Sequence, residues 1–520
     1  MKASILASVS AAALILAAGS AFAQNNVSDI LQTGTDGAVT VTQSGSDNNS
    51  DVDQSGVSNT TNLTQSGTNA TSTVVQEGVG FDHETGRNLV QVNQSGDGAT
   101  SEVTQTGDHR NHTFVTQNGA SDSVVTQDGA WNEANVSQTG DGNTSDVTQV
   151  GYSNISGNAA NTGVTQNGDD NSSVITQDPA EYARATVIQN GDGNTSVVDQ
   201  AVYGEVNDLT TALVVQTGND HDSTVTQTGI ANADVSQSGD RNTSEVDQSS
   251  YHADATVQQS GADNSSDLTQ GRGAGHPYQT QNQTALIVQS GSENDSVAVQ
   301  SGSNGDLNVD QSGDRNLSDV LQSGFDNASG SATALVGVDQ SGNDNQAYIT
   351  QSGALSDAFV DQVGDWNTAT ISQSIGNAPN PPGGPDPRVA TASVEQIGSY
   401  NVATVTQFGG SNTVSARLSE ASVVQSGDNN ESLITQTNSL IVASAANNTA
   451  SASQSGDYNN STIVQDGITL TATLTQGGSY NESEITQLGT GHTAEVTQNS
   501  DSNISVVSQS GSGNFASVTQ

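Results

Sequence analysis

The chain has 520 residues, 56 Asp and Glu against 9 Lys and Arg, no Cys, and a formal net charge of −47. Hydrophobic residues make up 31% and aromatics 3%, below the roughly 45–50% apolar content of ordinary globular domains, so several conventional cores are excluded despite the length. The acidity excludes nucleic acid and anionic membrane as natural partners, and the missing Cys excludes disulfides, thiolate catalysis and Cys-ligated zinc. Two classes survive: a disordered acidic polymer, and a repeat whose core is partly polar.

In chain order, the first element is a leader. Lys2 precedes an apolar run from Ile5 to Ala18, and Gly19-Ser20-Ala21-Phe22-Ala23 follows before Gln24. A basic start, a short apolar stretch and an A-x-A site predict a secretory signal peptide over 1–23, cleaved after Ala23. The run falls short of the roughly 20 residues that span a bilayer, and no later segment is long and apolar enough. The mature chain, 24–520, is therefore expected to be exported and to lack a transmembrane segment.

From Gln32 onward the chain repeats itself. Gln32, Gln43, Gln54, Gln65 and Gln76 are each 11 apart, as are Gln454, Gln465, Gln476, Gln487, Gln498, Gln509 and Gln520. Followed through the chain, this Gln recurs in 40 copies; 27 of the 39 intervals are 11 residues, four are 10 or 12, and eight run from 16 to 23. A disordered polymer has no reason to keep that count, so a repeat architecture is favoured.

Within a copy the period is two. Asn48, Ser50 and Val52 lead to Gln54; Asn143, Ser145 and Val147 lead to Gln149; Asn430, Ser432 and Ile434 lead to Gln436. In the last copy Asn514 and Val518 lead to Gln520. Alternate residues share one face of an extended strand, so Asn, a small residue, an aliphatic and Gln point inward while Thr and Asp face water. The position two before Gln is Val, Ile or Leu in all copies but those with Ala298 and Ala452. After the Gln come turn residues such as Ser238–Asn242 and Ser312–Asn316, where Gly permits positive φ.

One such strand cannot bury its own inner face. Two copies, 22 residues, can fold as strand–turn–strand, and stacked rungs then pair every strand with the rungs above and below. An all-β solenoid of about twenty rungs is expected, about 95 Å long if straight at roughly 4.8 Å per rung. In-register stacking makes Asn and Gln into amide ladders and leaves a dry seam of Val and Ile. Outward Asp would stack in like-charge columns, which predicts faster assembly at low pH, at high salt or with divalent cations.

The eight long intervals begin after Gln76, Gln149, Gln200, Gln270, Gln322, Gln373, Gln407 and Gln436, with 6, 4, 6, 4, 4, 2 and 2 copies between them. All these counts are even, so the insertions should fall at the same one of the two turns. One edge is then plain and the other carries loops, including the Pro-rich segment 379–387 with five of the seven prolines, kept out of a ladder in which Pro would lack a donor.

The repeat Gln-x-Gly-x-x-Asn-x-[Ser/Ala]-x-[Val/Ile]-x-Gln, seen from Gln138 to Gln149 and from Gln43 to Gln54, resembles the curlin repeat of the major and minor curli subunits. The resemblance covers essentially the whole mature chain. It implies an extracellular functional amyloid: a subunit secreted through an outer-membrane curli-type export pore of a Gram-negative-type bacterium. Such subunits self-associate, with other curlin-type subunits, into adhesive pilus-like fibres of the biofilm matrix. Curlins generally have about five rungs, and this chain is longer, more acidic and interrupted by loops. On the residues alone, the motif starts close to the predicted cleavage site and runs to Val518-Thr519-Gln520 without a cap sequence, so both ends are expected to template another copy.

Little else carries chemistry. His83, His109, His112, His221, His252, His276 and His492 are scattered without a zinc-spaced partner set and read as solvated turn residues. Gly-Asp-Gly-Asn at 140–143 and 191–194 reads as turn chemistry, because the calcium-binding nonapeptide pattern is absent. No irregular constellation fit for catalysis is present and no cofactor is expected. The competing reading is a monomeric secreted β-solenoid that binds a surface, a glycan or ice through outward Thr rows, which Asp51 and Asp53 interrupt.

Overall fold

The computed structural model describes residues 25–79, 87–107, 110–152, 155–156, 163–202, 209–271, 282–303, 305–325, 328–331, 335–354, 356–375, 390–409, 419–438 and 447–520. The expected signal peptide, the Pro-rich segment 379–387, and His83, His109 and His276 lie outside these residues. The described residues form strands and turns and no helix. Packing divides the chain into two compact units, Met1–Arg241 and Asn242–Gln520.

The first unit is nine rungs of strand–turn–strand. Strands from Val27–Gln32 to Asp222–Gln227 form one parallel sheet, and strands from Ala38–Gln43 to Ala231–Asp240 form a second. Pairing is in register with the repeat, so like sits on like: Ser50 pairs with Ser72, Val52 with Val74 and Gln54 with Gln76. The second unit repeats the plan in eleven rungs. One sheet runs from Thr243–Gln248 to Ile504–Ser512, the other from Ala253–Ala262 to Phe515–Thr519.

The inner faces of the two sheets form a thin core in each unit. Along a strand such as Thr471–Gln476, burial alternates as the period-two pattern requires, and Ala472, Leu474 and Gln476 are buried. In the second unit a column of mostly Ser in one sheet (Ser266, Ser296, Ser318) is matched by mostly Ala in the other (Ala392, Ala421, Ala450). Small residues beside the Val and Ile columns keep the seam narrow enough for a Gln side chain to reach across it.

The turns stack in the same register as the strands. In the Gly456-Asp457-Tyr458-Asn459 turn, Gly456 has φ 103° and Tyr458 sits in the left-handed region at φ 57°. Glycines stack on glycines: a Cβ on Gly291 would collide with the Gly313 carbonyl oxygen of the next rung. The insertions obey the parity of the repeat. In the first unit those after Gln76, Gln149 and Gln200 all leave the sheet that starts at Val27–Gln32; in the second, those after Gln270, Gln322, Gln373, Gln407 and Gln436 all leave the sheet that starts at Thr243–Gln248. The insertion after Gln322 adds a short antiparallel pair, Gly330 with Val336 and Ser331 with Leu335.

Candidate functional site

The repeat builds lines of side chains rather than a pocket. In each unit every rung places two Gln inward, one per sheet, and their amides bond from rung to rung. Gln43 Nε2 donates to Gln65 Oε1 at 2.8 Å, Gln54 to Gln76 at 2.8 Å, Gln138 to Gln166 at 2.9 Å, Gln149 to Gln177 at 2.9 Å and Gln436 to Gln465 at 2.9 Å. Gln520 Oε1 accepts from Gln498 at 2.9 Å. All these bonds run the same way, from the earlier rung to the later one, so each ladder is polar. The second hydrogen of most of these amides crosses the seam, as from Gln138 to the Asp122 carbonyl and from Gln520 to the Ile504 carbonyl. A buried amide with all its donors spent avoids a penalty of about 1–3 kcal/mol per lost partner.

Asn forms a second column, at the turn before most strands of the first-named sheet, with Ala70, Ala99, Ser121 and His221 in its place at four of them. Asn48 Oδ1 accepts the Ala70 N–H at 2.9 Å while its Nδ2 donates to the Ser44 and Gly67 carbonyls. Asn143 Oδ1 accepts from Asn171, and Asn430 donates to Asn401 Oδ1 at 3.1 Å and to the Gly456 carbonyl at 2.8 Å. Asn514, before a strand of the other sheet, donates to the Ser510 carbonyl at 2.7 Å. Val52, Val147 and Ile434 are fully buried in the seam, and so are Ser50, Ser145 and Ser432 or nearly so. On the last rung Asn514 and Gln520 are exposed and Val518 is half-buried.

The Ser column is the least satisfied part of the core. Ser432 and Ser461 share a hydrogen bond of 2.8 Å, but the buried hydroxyls of Ser145, Ser266, Ser296 and Ser318 have no partner. Outward charges differ from the expected unbroken columns. Asp310, Asp339, Asp361 and Glu395 stack in register, but Val288 and Val424 bound this run of four, because the outward positions vary freely between Thr, Asp, Ser and aliphatics. Burial raises the Asp310, Asp339 and Asp361 carboxyls above the usual range, and Asp339 is raised further by Asp361 and Asp310. Asp357, on the same face, is pushed up to about 6 by burial. On the turns, Arg315 holds Asp344 one rung away through two 2.8 Å bonds and lowers its carboxyl.

Two features escaped the sequence reading. Aromatic side chains stack between successive rungs at the turns: Tyr458 on Tyr480 at 5.0 Å and Trp366 on Tyr400 at 6.1 Å, both within 2° of parallel, and Arg110 lies 4.4 Å over Trp131. Their common place, just before the Asn or its equivalent, was the available signal. His221 and His492, expected as solvated turn residues, are instead buried; each stands six residues before a ladder Gln, which is the Asn position.

Parallel in-register rungs with two inner faces and continuous amide ladders define an all-β solenoid. The family model of the curlin associated repeat matches residues 120–151, 313–353, 334–364, 390–416, 445–478, 470–499 and 493–520. The chain is a curlin-repeat protein. No curated protein matches it. The repeat and the fold are structural in kind and point to a curli-like structural subunit. Among the described residues no helix is long and apolar enough to cross a membrane.

Proposed function

We propose that the chain is a structural subunit of extracellular curli-like amyloid fibres, exported after removal of residues 1–23 and polymerising end to end with copies of itself and with other curlin-type subunits. The observation that carries this reading is the polarity of the ladders. Among the described residues, Gln32 and Gln43 pass a hydrogen bond on to the next rung but receive none, whereas Gln509 and Gln520 receive one and pass none on. The strands Val27–Gln32 and Phe515–Thr519 each pair along one edge. A ladder that donates in one direction and accepts from the other can be continued by a second copy in the same repeat register. The site residues from Gln43 to Gln520 act in this reading as the ladder that carries register from one subunit into the next. Adhesion and matrix building, with an outer-membrane export pore, are the roles such a fibre serves at the surface of a Gram-negative-type bacterium.

Electron microscopy of the purified mature chain at high concentration and low pH tests it: filaments are expected, and monodisperse particles alone would overturn it. The second reading, a monomeric binding module, is favoured by one stretch. There Thr449, Thr471 and Thr493 align beside Ser453, Thr475 and Thr497 on an outward face, with Ser451, Thr473 and Glu495 between them.

A further inference from the structure

An Asn in the ladder does two jobs. Asn264 Nδ2 donates to the Ser260 carbonyl four residues earlier at 3.1 Å, and Asn242 Oδ1 accepts the Asn264 N–H of the next rung at 3.0 Å. His492 performs both with a ring. Its Nε2 lies 3.0 Å from the Leu488 carbonyl, four residues earlier, and its Nδ1 lies 3.1 Å from the Asn514 nitrogen, whose N–H it accepts. A carbonyl can only accept and a backbone N–H can only donate, so the two contacts together require the neutral Nε2–H tautomer. His221 makes the carbonyl contact in the first unit: its Nε2 lies 3.2 Å from the Thr217 carbonyl, and Asn194 Oδ1 accepts its N–H at 3.0 Å. Burial lowers the His221 imidazole despite Asp240 and Asp220 nearby.

We propose that His492 is an acid-sensitive rung of the amide ladder, which as a neutral imidazole holds the strand Phe515–Thr519 onto Thr493–Gln498 and releases it on protonation. A proton on Nδ1 turns the acceptor into a donor aimed at the Asn514 N–H and leaves a charge inside the stack. The elements around the ring offer no compensation. Glu482 and Glu484 on the strand Glu482–Thr490 and Glu495 on the ring's own strand are exposed and alternate outward. Asp466, on the strand Asn460–Ile468 one rung below, pairs in register with Leu488, while the strands Thr471–Gln476 and Phe515–Thr519 carry no acidic side chain. The ring's hydrogen-bond partners are a carbonyl and an amide, not a carboxylate.

The test is hydrogen–deuterium exchange on the dilute intact chain from pH 7.5 to 5, corrected for intrinsic exchange, in wild type and in His492→Asn. In wild type, protection at Asn514–Thr519 should fall by up to about tenfold between pH 7.5 and pH 5, the loss of one buried hydrogen bond. In His492→Asn, which keeps every nearby carboxylate and restores the ladder amide, protection should stay flat. A flat wild type, or the same fall in the variant, would overturn the proposal. Imidazole nitrogen shifts of the wild-type chain give an independent check, because an Nδ1–H tautomer at pH 7.5 is incompatible with it.

Discussion

Gln465 Nε2 donates one hydrogen to Gln487 Oε1 and the other to the Thr449 carbonyl across the seam, both at 2.9 Å, while Gln465 Oε1 accepts from Gln436. One side chain thus ties three rungs together and joins both sheets. Gln465→Ala would leave a donor on Gln436 and acceptors on Gln487 and Thr449 unpaired, and would open a cavity. A local loss of about 3 kcal/mol is expected, read as faster amide exchange in residues 431–490. Global unfolding is the wrong readout, because long repeat arrays do not unfold as one unit.

The Ser column predicts the opposite sign. Ser266 and Ser296 bury hydroxyls without partners, and Ala347, Ala369 and Ala403 already fill the same column further along. Ser266→Ala and Ser296→Ala should be neutral or stabilising by up to about 1 kcal/mol. Ser461→Ala, which breaks the 2.8 Å bond to Ser432, should cost about 1 kcal/mol. Exchange protection of the flanking strands compares the three variants directly.

The acidic run makes the second unit pH-sensitive. Asp357, at about 6 in the fold, and Asp310, Asp339 and Asp361, raised in direction, hold protons more tightly folded than unfolded. Their contribution is therefore fully present below the unfolded carboxylate value of about 3.9 and is lost as pH rises through the folded values, near 6 for Asp357. Asp357→Asn should raise protection of the strand Ser356–Val363 at pH 7 and change it little at pH 4. Assembly followed by thioflavin fluorescence should be faster at low pH and high salt, and kinetics fastest at neutral pH and low salt would contradict this account. Lowering of the His221 imidazole works the other way: its contribution is complete above the ordinary imidazole value and is lost as pH falls.

Stacked aromatics at the turns supply a smaller stabilisation. Tyr480→Ala removes the ring 5.0 Å from Tyr458 and should cost about 1 kcal/mol at that turn. Trp131 and Trp366 lie in different units, one under Arg110 and one on Tyr400, so their emission reports the units separately. Arg110→Gln should change the Trp131 signal and leave that of Trp366 unaltered.

Much of the fold was legible because stacking imposes a count. The 11-residue Gln interval, the alternation around Val52 and Ile434, and the even spacing of insertions all follow from rungs of two strands, and the pairing of Gln54 with Gln76 realises them. The direction of the amide ladders was not legible, since a Gln can donate either way. Nor was the burial of His221 and His492. Read as residue types they belong to solvated turns; read by position, six before Gln, they replace Asn: both rings meet the same carbonyl, and that of His492 also accepts the next rung's amide. The left-handed turn position was hidden for a similar reason, since Tyr458 and Trp366 carry no sign of positive φ beyond their place before Asn.

Fibre diffraction from aligned filaments of the purified mature chain tests the central claim most directly. Subunits that continue the in-register stack across their ends should give a sharp meridional reflection near 4.7–4.8 Å, with strands perpendicular to the fibre axis. Filaments lacking that reflection, or with strands parallel to the axis, would contradict the account.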